Sequence, residues 1–189
     1  MPPLILASAS PRRAELLREL GVDFTIITRP TEEAHHEDFT ARELCLLNAY
    51  RKARAVAKLH PQALVLGADT LVYLGTTLYG KPADLADAHR MLRELAGHTH
   101  QVVTGVCLLQ VGDHRCRLFA ETTNVTFKPL SESQISAYLA AIQPLDKAGA
   151  YAIQDRGGEI VQRISGSFSN VVGLPVERVK HELARWHRR

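Results

Sequence analysis

The chain has 189 residues, of which 46% are hydrophobic and 23% are charged, and its formal net charge is +3. This composition allows a substantial buried core in one globular domain or two closely joined lobes. It excludes a membrane span, because no run approaches the roughly 18 apolar residues needed, and the start lacks the basic residues of a signal peptide. We expect one domain over residues 1–189, located in the cytoplasm, without a membrane partner and, given the small charge, without nucleic acid.

The three cysteines are odd in number and widely spaced. This number and spacing indicate neither a secreted disulfide framework nor a CxxC zinc site. If a hairpin turn lies at residues 112–113, Cys107 stands opposite Leu118, so Cys107 and Cys116 are not direct cross-strand partners. We expect these two cysteines and Cys45 to be structural.

The first part of the chain predicts strands that alternate with helices. Short apolar runs indicate buried strands, and capping residues followed by apolar stripes indicate helices. Ser10 and Pro11 suit the start of the first helix, and Thr40 and Glu43 have the spacing of a capping box at the second. The predicted elements are strands at 4–7, 24–28 and 64–69 and helices at about 10–21, 40–59 and 84–97.

The later part of the chain predicts a hairpin, with Gly112 and Asp113 in its turn. The predicted elements are long strands at 101–111 and 115–127, a helix opening at 131, short strands near 150–154 and 160–164, and a last helix over 176–186. Alternating strands and helices followed by a hairpin predict an α/β fold, with a mixed parallel and antiparallel sheet and flanking helices.

Two hydroxyl groups and two guanidinium groups stand at the start of the first predicted helix, in Ser8-Ala-Ser10-Pro-Arg12-Arg13. A helix N-terminus already carries partial positive charge and free amides, so acidic residues are expected in its first turn. Arginines at that place indicate an anionic ligand such as phosphate. The alternative is that both arginines point into solvent.

Asp69 and Thr70 stand at the end of the apolar strand predicted at 64–69. Open sheets place ligands and catalytic groups at strand ends, which favours a functional acid here. The alternative is a cap, since Asp and Thr side chains often bond to nearby backbone groups in turns and at helix starts.

Two lysines are candidates for phosphate binding. Lys81 stands between Gly80 and Pro82, and Lys52 lies inside a helix that is otherwise rich in Leu and Ala. Taken singly, each could be an ordinary surface lysine. The joint presence of basic, acidic and hydroxyl groups favours a functional site.

Two further groups could hold a metal ion. Glu32 and Glu33 belong to an acidic segment that could supply a carboxylate to Mg²⁺ or Mn²⁺, with a solvated loop as the alternative. His98 and His100 lack a third nitrogen or sulfur ligand at suitable spacing. We expect the two histidines to be structural.

Six segments form an ordered set over nearly the whole chain. They are Leu4-Ile-Leu-Ala-Ser-Ala-Ser-Pro-Arg-Arg13, Gly67-Ala-Asp-Thr70, Gly80-Lys-Pro82, His100-Gln-Val-Val-Thr-Gly105, Asp146-Lys-Ala-Gly-Ala-Tyr-Ala-Ile-Gln154 and Val171-Val-Gly-Leu-Pro175. In order and spacing this set resembles the Maf (septum formation) family. Each segment alone is a weak signal, but six matches in the same order make coincidence a poor explanation.

The resemblance implies a Maf/ITPase-like α/β fold of two lobes around a central cleft, often a homodimer. It also implies hydrolysis of nucleoside triphosphates with a divalent cation, Mg²⁺ or Mn²⁺. Asp69 matches the family's proton acceptor, and Asp69 and Glu33 match its metal site. The residues that match substrate-binding positions are Ser8, Arg12, Arg13, Lys52, Thr70, Lys81 and Gln154.

The Ala-Tyr-Ala-Ile-Gln154 segment resembles the family branch that acts on dTTP and UTP. The branch that acts on 7-methyl-GTP usually has a Glu-containing segment there. The Gln154 amide offers both a donor and an acceptor to the edge of a thymine or uracil. Two departures stand out: Arg29-Pro-Thr-Glu-Glu33 replaces a more Asp-rich segment, and Asp155 stands where glycine is frequent.

The resemblance thus implies a pyrophosphatase that cuts dTTP and UTP, or modified pyrimidine nucleotides, to the monophosphate and pyrophosphate. Such a reaction needs a positioned water, cations around the phosphates and a metal ion. Asp69 is the expected base. The physiological role of the enzyme would be nucleotide pool cleaning or division control. The alternatives are a 7-methyl-GTP pyrophosphatase and a non-catalytic nucleotide-binding regulator of septum formation.

Overall fold

A computed structural model describes residues 2–32, 34 and 39–186. The chain divides into two compact units. Unit 1 comprises Met1–Asp69, Thr104–Glu121 and Gly173–Arg189, and unit 2 comprises Thr70–Val103 and Thr122–Val172. Two units agree with the two predicted lobes, and the assignment of residues 1–189 to a single domain stays a prediction.

The strands of the described residues join in one sheet. They are β1 (Leu4–Leu6), β2 (Phe24–Ile26), β3 (Leu64–Leu74), β4 (Thr77–Tyr79), β5 (Thr99–Gln110), β6 (Arg115–Phe127) and β7 (Val161–Ser165). The order is β2-β1-β3-β5-β6-β7, with β4 paired to β3. β1 runs parallel to β2 and β3, whereas β3 with β4 and β6 with β7 are antiparallel. The predicted mixed sheet is confirmed.

Helices follow most of the strands along the chain. They are α1 (Pro11–Arg18), α2 (Ala41–Ala57), α3 (Leu85–Leu95), α4 (Glu132–Ala141), α5 (Ile153–Ile160), α6 (Phe168–Val172) and α7 (Val176–Trp186). Two 3₁₀ turns, Pro144–Asp146 and Ala148–Ala150, precede α5. Within the described part of the chain, no helix combines the length and the apolar character needed to cross a membrane.

Most of the predicted helix starts are confirmed by their hydrogen bonds. Thr40 Oγ1 accepts from the Glu43 N–H at 3.3 Å and Glu43 Oε2 accepts from the Thr40 N–H at 2.8 Å, which completes the capping box of α2. Asp84 caps α3, since its Oδ1 accepts from the Asp87 N–H at 2.8 Å. The cap predicted at Ser10 is wrong in one respect: its side chain makes no capping bond, and its own N–H donates to Ser8 Oγ at 3.3 Å.

The strand predicted near residues 150–154 is wrong. The chain there forms a 3₁₀ turn and then α5, which also contains Gly157 and has a break at Arg156. The reason lies in Tyr138, whose hydroxyl donates to the Ala152 carbonyl at 3.2 Å and accepts from the Ala152 N–H at 3.1 Å. One phenol thus satisfies both backbone groups that a neighbouring strand would otherwise pair.

β3 is longer than the predicted strand at 64–69. It continues to Leu74 because β4 pairs with its second half, with Leu74 opposite Thr77. Gly75 turns the chain between them at φ 61°, a left-handed conformation that glycine adopts readily. Asp69 therefore lies inside a long strand, although it is beyond Leu66, the last residue of β3 in the register with β1.

The hairpin of β5 and β6 brings two thiols together. Residues 111–114 link these neighbouring strands, which are therefore antiparallel as predicted. The side chains of Cys107 and Cys116 are hydrogen-bonded, and this bond lowers the pKa of exposed Cys116 to about 7 and, together with burial, raises that of Cys107. Cys45 is buried, as expected of a structural cysteine.

α2 packs against the sheet in unit 1 through small side chains. Its alanines at 49, 53 and 57 share a core cluster with residues of β1, β3 and β5. A Cβ atom at Gly67 would lie 2.3 Å from the Ala49 carbonyl oxygen, and one at Gly105 would lie 2.4 Å from the backbone of Cys45. Glycines in two neighbouring strands therefore allow the helix backbone to touch the sheet.

Candidate active site

Two side chains of α2 hold the carboxylate of Asp69. Lys52 Nζ donates to Oδ1 at 2.6 Å, and Asn48 Nδ2 donates to Oδ2 at 3.3 Å. The side chain of Asp69 is 8% exposed and that of Lys52 is 18% exposed, so solvent screens this ion pair less than a surface pair. Because Asp69 lies within β3 and bonds to α2, it does not cap a helix or turn.

The close packing of α2 explains why these three residues meet. Asn48 and Lys52 are four residues apart and therefore share one face of the helix. Gly67 contacts α2, and Asp69, two residues further along the same strand, points to the same side of the sheet. The alternative of an ordinary surface lysine is wrong for Lys52.

Asn48 is the functional candidate that the sequence analysis missed. It is buried, and it bonds to the backbone of Ala34 as well as to Asp69. A signal was available in the sequence: a polar side chain stands one helical turn before Lys52, within the apolar stripe of a predicted helix. That signal does not identify the partners, which come from distant segments.

The segment after β1 forms a second polar group in unit 1. Arg13 Nη1 donates to Ser8 Oγ at 3.2 Å, and Arg13 Nε donates to the Gly173 carbonyl at 2.9 Å. Ser8 is buried, while Arg13 and Arg12 are half-buried. The alternative in which both arginines point into solvent is therefore wrong for Arg13.

The two groups lie just beyond the stretch over which β1 and β3 pair in parallel. Leu6 of β1 pairs with Leu66 of β3, and the Ala7 N–H donates to the Leu66 carbonyl at 2.8 Å. Ser8 comes two residues after Leu6, and Asp69 comes three residues after Leu66. This is the edge of a parallel sheet at which α/β proteins bind ligands.

The remaining predicted substrate residues belong to unit 2. Thr70 is half-buried in β3, Lys81 is exposed just after β4, and Gln154 is exposed as the second residue of α5. The Gly149 N–H donates to the Gly80 carbonyl at 3.0 Å. This bond joins the segment that contains Lys81 to the segment that leads to Gln154.

His100 is structural, as expected. Its Nε2 is hydrogen-bonded to the Tyr151 hydroxyl at 3.0 Å, and its ring packs edge-on against Phe127 with 4.6 Å between centroids. The residue is fully buried, and burial lowers the pKa of His100 to about 4. His98, in contrast, is exposed.

Asp69 is the metal-ligand candidate that the structure describes. Its predicted partner Glu33 lies outside the described residues. Among residues 2–32, 34 and 39–186, no three His, Cys, Asp or Glu side chains are grouped to hold a metal ion. A metal bound at Asp69 would therefore draw its other ligands from water, substrate or residues beyond this set.

The arrangement in unit 1 suits the chemistry of an anionic substrate. A carboxylate is oriented through both oxygens, and it can accept a proton or a cation. The Arg13 guanidinium, the Ser8 hydroxyl and the N-terminus of α1 stand just beyond β1, and α1 has no acidic residue in its first turn. These groups attract phosphate oxygens.

Comparison with known proteins gives a consistent result. A family model described as "Maf: Maf-like protein" matches residues 3–186. A protein of Symbiobacterium thermophilum named dTTP/UTP pyrophosphatase is 48% identical over 187 residues, which cover 98% of this chain and 95% of that protein. A protein of the same name from Exiguobacterium sibiricum is 49% identical, over 96% of this chain and 91% of that protein. Another, from Akkermansia muciniphila, is 46% identical, over 95% of this chain and 94% of that protein.

A solved structure shares the fold. The Ham1 protein of Staphylococcus aureus superimposes with a TM-score of 0.56 at 16% identity, over 97% of this chain and 99% of that one. At this identity the likeness shows the fold alone. It agrees with the predicted Maf/ITPase-like mixed sheet with flanking helices.

Proposed function

The chain belongs to the Maf family, and we propose that it is a nucleoside triphosphate pyrophosphatase that hydrolyses dTTP and UTP to the monophosphate and pyrophosphate. The observation that carries the proposal is the Asp69 carboxylate, oriented through both oxygens by Lys52 and Asn48. Relatives with this activity in their names, 46–49% identical over nearly the whole chain, support it.

In the proposed mechanism Asp69 accepts a proton from the attacking water. Lys52 stays close to Asp69, and an ammonium has three donors, so it can also bind a phosphate oxygen. Arg12, Arg13 and Ser8 bind the phosphate chain beside the start of α1. Positioning and charge neutralisation supply most of the catalysis in phosphoryl transfer.

The residues of unit 2 have proposed roles that rest on the family resemblance. Lys81 binds phosphate, and Thr70 and Gln154 contribute to substrate choice. Gln154 is exposed and therefore accessible to a ligand. Its amide can pair with the carbonyl and N–H groups on the edge of uracil or thymine, whereas cytosine presents an amino group in place of one carbonyl.

The donor set fits a divalent cation of the Mg²⁺ type. Such ions usually bind through one or two carboxylates together with substrate phosphates and water. Each oxygen of Asp69 accepts one described hydrogen bond and retains capacity for another ligand. Asp69 and Glu33 would hold Mg²⁺ or Mn²⁺, which would neutralise phosphate charge and polarise the reacting phosphorus.

The biological setting is part of the proposal. We infer a cytoplasmic protein that cleans the nucleotide pool or acts in division control, with a homodimer as its assembly. The second candidate activity is hydrolysis of 7-methyl-GTP, and the third is nucleotide binding without turnover in septum formation.

A substrate panel tests the proposal. Pyrophosphate release is measured for dTTP, UTP, CTP, ATP and 7-methyl-GTP, each with Mg²⁺, with Mn²⁺ and with a chelator. We expect the highest kcat/KM for dTTP and UTP and loss of turnover with the chelator. A higher kcat/KM for 7-methyl-GTP would favour the second candidate, and binding without product from any nucleotide would favour the third.

A further inference from the structure

Asn48 makes three hydrogen bonds in unit 1. Its Oδ1 accepts from the Ala34 N–H at 2.7 Å, and its Nδ2 donates to the Ala34 carbonyl at 3.4 Å and to Asp69 Oδ2 at 3.3 Å. Asn48 is 3% exposed. One buried amide group therefore joins the Asp69 carboxylate to the backbone of a distant segment.

We propose that Asn48 is a positioning residue that orients Asp69 and ties it to the backbone of Ala34, so that a divalent cation and the attacking water are correctly placed. The inference rests on the proposed function, in which Asp69 is the base and a metal ligand. Ala34 directly follows Glu33 in the sequence. The two bonds to Ala34 hold the backbone of the residue that follows the predicted second metal ligand.

The chemistry of the two contacts requires a side chain with both a donor and an acceptor. The carboxylate of Asp69 needs a donor, the Ala34 N–H needs an acceptor, and an amide supplies both. An apolar replacement would leave these buried groups without that partner, which is unfavourable because their desolvation is then uncompensated. Asn48 therefore stabilises the arrangement and also selects its geometry.

Asn48 restricts a rotation of the Asp69 carboxylate that Lys52 alone does not restrict. Lys52 holds Oδ1 of Asp69, and a carboxylate held through one oxygen can still rotate about its bond to Cβ. The bond from Asn48 to Oδ2 restricts that rotation. Partners of metal ligands typically change metal affinity or activity by about 10–100-fold when they are removed.

The test compares wild type with Asn48→Leu, which keeps the approximate size and removes both hydrogen-bonding groups. We expect kcat for dTTP at saturating Mg²⁺ to fall by about 10-fold or more, with a change in KM below about threefold. A second readout is Mn²⁺ binding without nucleotide, measured by electron paramagnetic resonance. We expect the Kd for Mn²⁺ to rise by about 10-fold.

A second variant covers the case in which Asn48→Leu does not fold. Asn48→Asp keeps the size and the acceptor for the Ala34 N–H, but it replaces the donor to Asp69 with a negative charge. We expect kcat for dTTP to fall by about 10-fold or more in this variant also. For Asn48→Asp the test uses kcat and not the Kd for Mn²⁺, because the added carboxylate can itself bind Mn²⁺.

Gln110→Met is the matched control. Gln110 is a buried amide of unit 1 that donates to the Gln62 carbonyl at 3.4 Å and accepts from Trp186 Nε1 at 3.3 Å. Its loss should lower the free energy of unfolding, while kcat and the Kd for Mn²⁺ stay within about threefold of wild type. The control separates a general loss of stability from a loss of positioning.

The outcomes distinguish the two proposals. A wild-type protein that releases no pyrophosphate from dTTP or UTP contradicts the proposed function, and the Mn²⁺ measurement still tests Asn48. An active wild type together with folded Asn48 variants whose kcat is within threefold of wild type overturns the positioning role. The positioning role is also overturned if the Asn48 variants lose only stability, which is the result expected for the control Gln110→Met.

Discussion

Lys52 Nζ lies 2.6 Å from Asp69 Oδ1, and the two side chains are 18% and 8% exposed. The pair connects α2 to β3 at the candidate site. A partly buried charge that loses its partner is destabilising because its desolvation is no longer compensated. The ion pair therefore links the stability of unit 1 to the proposed base. For a substitution of either residue, both turnover and the free energy of unfolding should be measured.

Asp69→Asn should lower kcat by about 100-fold or more, because the amide cannot accept a proton and is a poor metal ligand. The shape is retained and the amide oxygen can still accept from Lys52, so a folded protein is expected. Pyrophosphate release from dTTP and thermal unfolding are measured on the same samples. Near-normal turnover in a folded variant would remove Asp69 from the mechanism.

Arg13→Ala should lower both stability and triphosphate turnover. The variant loses the bonds to Ser8 and to the Gly173 carbonyl, which together contribute about 1–2 kcal/mol to the free energy of unfolding. Arg54→Ala, an exposed arginine of α2, serves as the control and should stay within about 0.5 kcal/mol of wild type. Urea unfolding and kcat/KM for dTTP are the measurements. Reduced turnover at unchanged stability would indicate a pure ligand contact.

Gly67→Ala should destabilise the protein by about 3 kcal/mol or more and lower turnover. The new Cβ would lie 2.3 Å from the Ala49 carbonyl oxygen and 2.8 Å from the Ala53 nitrogen, so α2 must move away from β3. That movement displaces the helix that carries Lys52. Urea unfolding of Gly67→Ala gives the size of the effect.

The matched control for Gly67 is Gly158→Ala in α5. A Cβ at Gly158 meets no atom within 4 Å. Alanine is a better helix residue than glycine, so this variant should be as stable as wild type or up to about 1 kcal/mol more stable. If Gly67→Ala behaves like Gly158→Ala, the close approach of α2 to β3 is not a constraint.

His100 should make the stability of the protein depend on pH in the weakly acidic range. Burial lowers its pKa from 6.5 to about 4. Between these values the unfolded chain binds a proton that the folded protein does not, so stability is fully present above about pH 6.5 and is lost as the pH falls toward 4. The loss attributable to this residue is at most about 3 kcal/mol.

His100→Gln tests this pH dependence. Glutamine can still bond to the Tyr151 hydroxyl but does not titrate. Urea unfolding at about pH 7 and about pH 4.5 should show a smaller difference in the free energy of unfolding for the variant than for wild type. An equal difference in the two proteins would assign the pH dependence to other groups.

Gln154→Ala should reduce the preference for UTP over CTP by about 10-fold, because the lost amide makes contacts that distinguish the two base edges. Intrinsic hydrolysis should be less affected. Gln162→Ala, an exposed glutamine of β7, should leave the ratio unchanged. The measurement is kcat/KM for both nucleotides in the three proteins. Equal kcat/KM for UTP and CTP in the wild-type protein would by itself exclude recognition of the base edge by Gln154.

Local signals in the sequence were sufficient for most helices. The Thr40 and Glu43 capping box and the Asp84 cap act within one helical turn, so adjacent residues determine them. The prediction failed at residues 150–154, where the Tyr138 hydroxyl takes both backbone groups of Ala152. That partner is 14 residues away, and no local pattern reveals it.

The C-terminal end of β3 also could not be predicted from neighbouring residues in the sequence. The apolar run at 64–69 predicts the first half of β3, but the second half exists because β4 folds back and pairs with it. A short strand such as Thr77–Tyr79 has little periodicity of its own. Its pairing partner, not its composition, makes it a strand.

The sequence by itself determined the family, the mixed sheet and the identity of Asp69 and Lys52 as candidates, because the six ordered segments and the apolar periodicity are properties of the linear chain. Only the tertiary structure decided which groups surround Asp69. Lys52 and Asn48 are 17 and 21 residues away from it along the chain. They meet Asp69 because Gly67 allows the backbone of α2 to contact β3, a packing relationship that exists only in the folded protein.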